Sequence, residues 1–342
     1  MKKLISTILI ATLMLCSLLA ITSCGNNENT VKVNPDKEKY TIGIIQLAPH
    51  DALDAATQGF KDALTSALEA EGRQVEFKFQ NAQGDSNSCS TIVNSFISDD
   101  VDLIMANATA ALNAAYTATE YIPILGTSVT EYGVALGLSD FNGTVGGNTS
   151  GTSDLAPLDT QAQMMIDILG LEAGAKIGLL YCSAEPNSQY QVDRVREYLT
   201  SKGMVCSDYK FADSNELATV TQNAASQVDA IYVPTDNTVA SNTSIIDNIC
   251  EPAKIPVFAG EESTCKGCGF ATLAISYYNI GKRTGEMAAK VLLGEESISE
   301  MAIQYDAEPV KKYSKTACES LGIDTAALEA AGYVMIEGTD GE

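Results

Sequence analysis

The sequence predicts an α/β protein made of two similar halves, each a mostly parallel sheet flanked by helices. Three observations lead there. Short apolar, β-branched runs alternate with stretches of helical periodicity from residue 40 onward. The alternation restarts after residue 150, which divides the chain in two. The chain's 342 residues, 45% hydrophobic and 19% charged, are enough for a core in each half and argue against wholesale disorder.

In the first half, Tyr40 to Leu47 (YTIGIIQL) reads as a buried strand. Asp54 to Gly72 reads as a helix, with Ala56, Phe60, Ala63, Leu64, Ala67 and Leu68 at helical spacing and Gly72 suited to its end. Val75 to Asn81 is a second strand, Ser86 to Asp99 a helix, Val101 to Met105 a third strand, Ala108 to Thr119 a helix and Ile122 to Leu125 a fourth strand. In the second half, helices are expected at Leu158–Leu169, Ser188–Lys202, Ser214–Ser226, Thr243–Ala253 and Ile280–Leu293. Strands are expected at Lys176–Tyr181, Val205–Lys210, Ala230–Val233, Ile255–Ala259 and Phe270–Ser276. Gly143-Thr144-Val145-Gly146-Gly147 reads as turn chemistry in an interdomain loop. Two such halves make a clam-shell, with ligands expected beyond the carboxyl ends of the strands.

The N-terminus reads as an export leader. Lys2 and Lys3 precede a nearly apolar run from Leu4 to Ala20, then Ile21-Thr22-Ser23-Cys24 and a polar stretch. The last four residues resemble a bacterial lipobox. That resemblance implies removal of residues 1–23 and acylation of Cys24, with chains such as palmitate holding the protein on a membrane. Residues 24–39 then read as a lipidated, flexible tether. No other stretch is long and apolar enough to span a bilayer.

Of nine cysteines, Cys16 would leave with the leader and Cys24 would be acylated, so seven remain. An odd number leaves at least one thiol unpaired within the chain. Cys265-Lys266-Gly267-Cys268 lacks a second ligand pair for zinc, so a local disulfide or two reduced thiols in a loop is expected, and no metal.

The net charge of −23 repels phosphate backbones, which makes nucleic acid a poor candidate partner, and none is expected. A single histidine, His50, excludes any scheme that needs two. No G-x-S-x-G elbow, P-loop or G-x-G-x-x-G fingerprint is present, so no enzyme activity and no cofactor are expected.

The ordered motifs carry a family likeness. Ile44-Ile45-Gln46, His50-Asp51-Ala52-Leu53-Asp54 and Gly59-Phe60-Lys61-Asp62 come first, followed by Asn81-Ala82-Gln83-Gly84-Asp85. Thr127-Ser128-Val129-Thr130, Gly151-Thr152-Ser153-Asp154 and Ser183-Ala184-Glu185-Pro186-Asn187-Ser188 follow in order. The most specific is Asp229 to Ser241 (DAIYVPTDNTVAS), then Ile255 to Ala259 and Gly281 to Lys290. Together they resemble the tryptophan/tyrosine-type substrate-binding lipoproteins of ABC transporters, over about residues 40–325. Cys265-Lys266-Gly267-Cys268 departs from that pattern.

The resemblance implies a type I periplasmic-binding fold with three crossings between lobes, near 126–130, near 270–277 and near 295–300. Lobe one would hold 40–128 plus about 273–296. Lobe two would hold 129–272 plus about 297–335, with a terminal helix around Thr316 to Ala331. The implied role is a membrane-anchored, monomeric capture subunit that hands an aromatic amino acid (Trp, Tyr or Phe) to an ABC permease. Alternatives are a sensing module for a membrane receptor, or capture of a nucleoside or sugar.

Polar strand ends give the candidate ligand residues. From lobe one these are Gln46, His50, Thr109, Thr127 and Ser128; Thr127 and Ser128 also suit hinge turns, and Asp54 suits a helix cap. From lobe two they are Ser183, Glu185, Asn187, Ser188, Thr235, Asp236, Asn237 and Glu261. Asp236 is the leading candidate for an ammonium, with a helix cap as its rival role. Asp154 enters on the resemblance alone. Tyr132, Tyr181, Tyr277 and Tyr278 are available as aromatic walls.

Overall fold

A computed structural model of the protein describes residues 31–305 and 308–338; the expected leader and Cys24 lie outside them. The chain begins β1 (Lys39–Gln46), α1 (Asp51–Ala70), β2 (Gln74–Asn81), α2 (Ser86–Ser98), β3 (Leu103–Asn107), α3 (Thr109–Ala118), β4 (Ile124–Val129), α4 (Tyr132–Leu136) and β5 (Thr149–Ser153). Next come α5 (Leu158–Leu169), β6 (Lys176–Cys182), α6 (Pro186–Ser201), β7 (Val205–Phe211), α7 (Ser214–Ala225), β8 (Ala230–Val233), α8 (Asn237–Ala240), α9 (Thr243–Ala253), β9 (Val257–Ala259), α10 (Glu262–Cys268) and β10 (Ala271–Ala274). Last are α11 (Tyr277–Leu292), β11 (Gln304–Tyr305), β12 (Val310–Tyr313), α12 (Lys315–Leu321), α13 (Thr325–Ala330) and β13 (Val334–Met335).

Two sheets result. The first has the order β11-β5-β4-β3-β1-β2, and all its pairings are parallel. The second has the order β13-β12-β10-β9-β8-β6-β7, with one antiparallel pairing, β10 to β12. Both faces of each sheet are covered, as near-continuous apolar strands require. On β1, Ile42 and Ile44 pack with Phe60 and Leu64 of α1 and Met287 of α11. Ile45, one residue on, points to the other face, against Val93 and Phe96 of α2. The second sheet is sandwiched in the same way, α5 and α6 on one face and α7 and α9 on the other.

The lobe boundaries differ from the sequence expectation. β5 (TSGTS) is not among the expected strands, because it carries no apolar residue, yet all five positions are buried. Its hydroxyls are satisfied inside lobe one. Thr152 Oγ1 lies 3.1 Å from Thr127 Oγ1 and 2.8 Å from Thr284 Oγ1, and Ser150 Oγ donates to the Met301 carbonyl. Gly151 is obligatory there, since a Cβ would lie 2.1 Å from the Gly126 carbonyl oxygen. Lobe one therefore extends through residue 153. The Gly143–Gly147 segment lies before β5, inside this lobe, and Thr127 and Ser128 are β4 residues and not hinge turns. The crossings run from β5 to α5, from β10 to α11 and from β11 to β12. The expected terminal helix is two, α12 and α13, because Gly322 takes a left-handed φ of 72° after the first.

Some of the expected tether is fixed. Lys32 N–H donates to the Tyr121 carbonyl, Lys37 Nζ donates to Asp102, and Val31 and Val33 pack on the lobe-one core. The seven described cysteines are all free. Cys265 and Cys268 lie on helix α10 and not in the expected loop.

Candidate ligand-binding site

The carboxyl ends of strands from both sheets converge on one small enclosed pocket. It is lined by His50, Leu53, Ser128 and Asp154 from the lobe-one side, by Asn187, Thr235, Asp236, Asn237, Ala240 and Glu261 from lobe two, and by Tyr277 at the second crossing. Eight of the fourteen sequence candidates are among these residues, and Tyr277 is the one suggested aromatic wall that reaches the pocket.

Asp236 follows β8 and caps α8. Its Oδ1 accepts from the Val239 N–H at 2.9 Å and its Oδ2 from the Cys182 N–H at 2.7 Å. The cap role and the pocket-facing role thus coexist. Burial, reinforced by the negative charge of Glu185, pushes its carboxyl up to about 8, against the pull of those two N–H donors. Glu261 follows β9 and caps α10, accepting from the backbone N–H groups of Ser263 and Thr264 and from Ser263 Oγ. Asp154 follows β5. Thr130 Oγ1 donates to it at 2.9 Å and the Tyr277 hydroxyl at 2.8 Å, yet burial outweighs both and raises its pKa. Three buried carboxyls therefore line a space that no lysine or arginine lines. Among the described residues no cluster of His, Cys, Asp or Glu is arranged to hold a metal ion. The chemistry of the lining suits an organic cation, an ammonium above all.

The lobes touch across the pocket. His50 Nε2 lies 3.3 Å from Asn237 Oδ1. Asn237 is held by Glu185, which accepts from the backbone N–H and side chain of both Asn237 and Thr238. In this arrangement the pocket's free volume is about 10 Å³, room for about one water. Two larger interlobe cavities adjoin it. One of 560 Å³ shares Asn187 and Asn237 with it; one of 810 Å³, beside the crossings, shares Glu261 and Tyr277.

Six candidates lie outside the enclosed pocket. Gln46 is spent within lobe one, donating to the Ala48 carbonyl and Asp54 and accepting from Thr57. Asp54 therefore serves Gln46 in the first turn of α1, and His50 occupies the cap position. Thr127 is bonded to Thr152, Ser183 to the Phe211 carbonyl and Ser188 to the Thr235 carbonyl. Thr109 and Glu185 line the 560 Å³ cavity. Of the other suggested aromatic walls, Tyr132 donates to the Thr152 carbonyl, Tyr181 to Gln189 and Tyr278 to Asp62.

Sequence reasoning missed two buried glutamines that shape the site. Gln191 Nε2 donates to the Thr235 carbonyl and its Oε1 accepts from the Thr235 N–H. Gln161 donates to the Gly260 carbonyl and accepts from Tyr232. Each was visible as a polar residue on an apolar helix face, Gln161 beside Leu158, Ala162 and Met165, Gln191 beside Val192 and Val195.

A clam-shell with a polar interlobe pocket is the form of an extracytoplasmic solute-binding protein. The family profile described as ABC transporter substrate binding protein matches residues 41–326. A "Tyrosine-binding protein" from Clostridioides difficile is 34% identical over 299 residues, 86% of this chain and 85% of that protein. Among solved structures, an ABC domain in complex with L-Trp from Streptococcus pneumoniae is 28% identical, with a TM-score of 0.79 over 87% of this chain and 100% of that one. The ligand-free, open structure of a substrate binding protein with adhesive properties from Clostridium difficile is 35% identical, with a TM-score of 0.65 over the same shares. The chain belongs to the family of ABC transporter substrate-binding proteins.

Proposed function

We propose that the protein is the lipid-anchored, extracytoplasmic capture subunit of an ABC importer, and that it takes an aromatic amino acid into the interlobe pocket. The convergence of Asp154, Asp236 and Glu261 on a pocket lined by no lysine or arginine carries this reading, because it favours a ligand bearing an ammonium group. The tyrosine-binding relative and the tryptophan complex supply the side-chain class. Anchoring rests on the leader followed by Cys24.

Binding would draw the lobes together around the ligand, and a permease would meet the closed form. A thermal-shift screen of refolded residues 25–342 against amino acids, sugars and nucleosides tests the ligand class. A ligand at about 100 times its dissociation constant adds about 2.7 kcal/mol to stability. A shift confined to tyrosine, tryptophan and phenylalanine is expected; a shift with sugars or nucleosides alone contradicts the amino-acid reading. For the anchor, metabolic labelling with a palmitate analogue is expected to mark wild type and not Cys24→Ser. Equal labelling of the two, or no labelling of wild type, would contradict acylation at Cys24.

A further inference from the structure

Two of the free cysteines share a cavity that has no residue in common with the ligand pocket. Cys250, in the last turn of α9, and Cys268, the last residue of α10, both line a 260 Å³ cavity in lobe two. Cys268 is half-buried and packs on the apolar cluster that contains Cys250. The two helices seat directly on each other, since a Cβ on Gly267 would lie 2.2 Å from Thr243 Oγ1. Burial pushes the Cys268 thiol up, and among its neighbours Cys250 adds most to that rise. The Cys268 thiol is held only by a weak bond to the Thr264 carbonyl, 3.4 Å away on its own helix.

Other pairings compete poorly. Cys265 and Cys268 are three residues apart on one helix, where Cβ atoms stand about 5–6 Å apart. A disulfide spans roughly 3.5–4.5 Å between Cβ atoms. Cys265 also lies near Cys318, but both are wholly buried and neither lines the cavity, so an oxidant has no path to them.

We propose that Cys250 and Cys268 form a disulfide in the extracytoplasmic compartment where this family works, and that the cross-link pins α10 to α9. The structure holds the reduced form. With seven residues α10 is too short to hold itself, yet its cap, Glu261, lines the ligand pocket. The link thus fixes one wall of the pocket from behind, and it does so whatever the ligand is. The Cys268 thiolate attacks a small disulfide oxidant, such as oxidised glutathione, and expels one thiolate. The Cys250 thiolate then attacks Cys268 Sγ and expels the second. The two protons of the protein thiols pass to the two departing thiolates, so two thiols are oxidised and one disulfide is reduced.

Refolding the fully reduced, full-length protein in glutathione buffer with the disulfide in excess tests this. A mildly alkaline pH is used, because burial holds the thiols protonated at neutrality, Cys250 pushed up to about 12. After alkylation, trypsin cuts at Lys266 and so parts Cys265 from Cys268. The expected dominant link joins the peptide of residues 211–254 to that of residues 267–282. In hydrogen exchange, the α10 amides of the oxidised protein are expected to exchange about tenfold more slowly than those of the reduced protein. Cys250→Ser is expected to show no such difference. A link from Cys265 to Cys268, alkylation of both Cys250 and Cys268, or equal α10 exchange in the two redox forms overturns the proposal. The same slowing in Cys250→Ser overturns it too, since another thiol would then be responsible.

Discussion

Asp236 combines a structural and a chemical task through its position alone. As the cap of α8 it is tied down by two backbone N–H groups, which fixes where its charge sits. As a buried carboxyl with a pKa of about 8 it is largely protonated at neutral pH. The sign of the linkage follows. Its folded pKa lies above the unfolded value of about 3.9, so its stabilising contribution is complete below that pH and is lost as pH rises through about 8. A bound ammonium favours the ionised form, so binding expels the proton. Affinity is expected to rise with pH until about 8 and then level off, with release of about one proton per ligand near pH 7. Calorimetry in buffers of different ionisation enthalpy counts that proton, and Asp236→Asn is expected to abolish the release. An unchanged count in the variant would move the titration elsewhere. Both Asp236 roles were legible in the sequence as rival readings. The pairing of Glu185 with Asn237 and Thr238 was not, because it joins residues 52 and 53 positions apart through a fold that local pattern does not specify.

Helix α11 joins lobe one from far along the chain, and its seat on α1 depends on glycine. A Cβ on Gly281 would lie 1.9 Å from the Ala56 carbonyl oxygen, and one on Gly59 would lie 2.1 Å from the Tyr278 carbonyl oxygen. Gly281→Ala must push the two helix backbones apart and is expected to destabilise the protein by about 2–3 kcal/mol, read by urea denaturation. The short helix α8 has the opposite weakness. With four residues it cannot hold itself together, and Glu185 supplies the carboxylate that fastens its first turn. Glu185→Ala is expected to cost about 2 kcal/mol and to weaken ligand binding by freeing Asn237. Wild-type affinity in that variant would show that α8 holds its place without the carboxylate. Apolar period and caps located the long helices and the strands they flank to within a few residues. β5 escaped because its burial rests on hydroxyl bonding, which leaves no hydrophobic pattern to read. The short α4, α8 and α10 escaped because one or two turns show no period.

At the scale of the molecule the two lobes touch across the pocket. The chain matches the tryptophan complex with a TM-score of 0.79 at 28% identity and the open, ligand-free structure with 0.65 at 35%, the reverse of what identity alone would rank. In this arrangement about 10 Å³ is free, so holding an amino acid requires the lobes to stand further apart than they do here, with the His50–Asn237 contact broken. The two-lobed form was legible in the repeated βα pattern. The first and third crossings were displaced from their expected places because β5 and β11 add to the first sheet beyond the strands that periodicity shows, while the second, between β10 and α11, falls where it was expected. The carboxylates that line the interlobe pocket are proposed to hold an α-amino acid by its ammonium. Titration calorimetry of L-tyrosine into wild type and Asp236→Asn tests this most directly. Saturable one-to-one binding by wild type, weakened on the order of 100-fold in the variant, is the expected result. Equal affinity in the two proteins, or no binding of any α-amino acid by wild type, would contradict it.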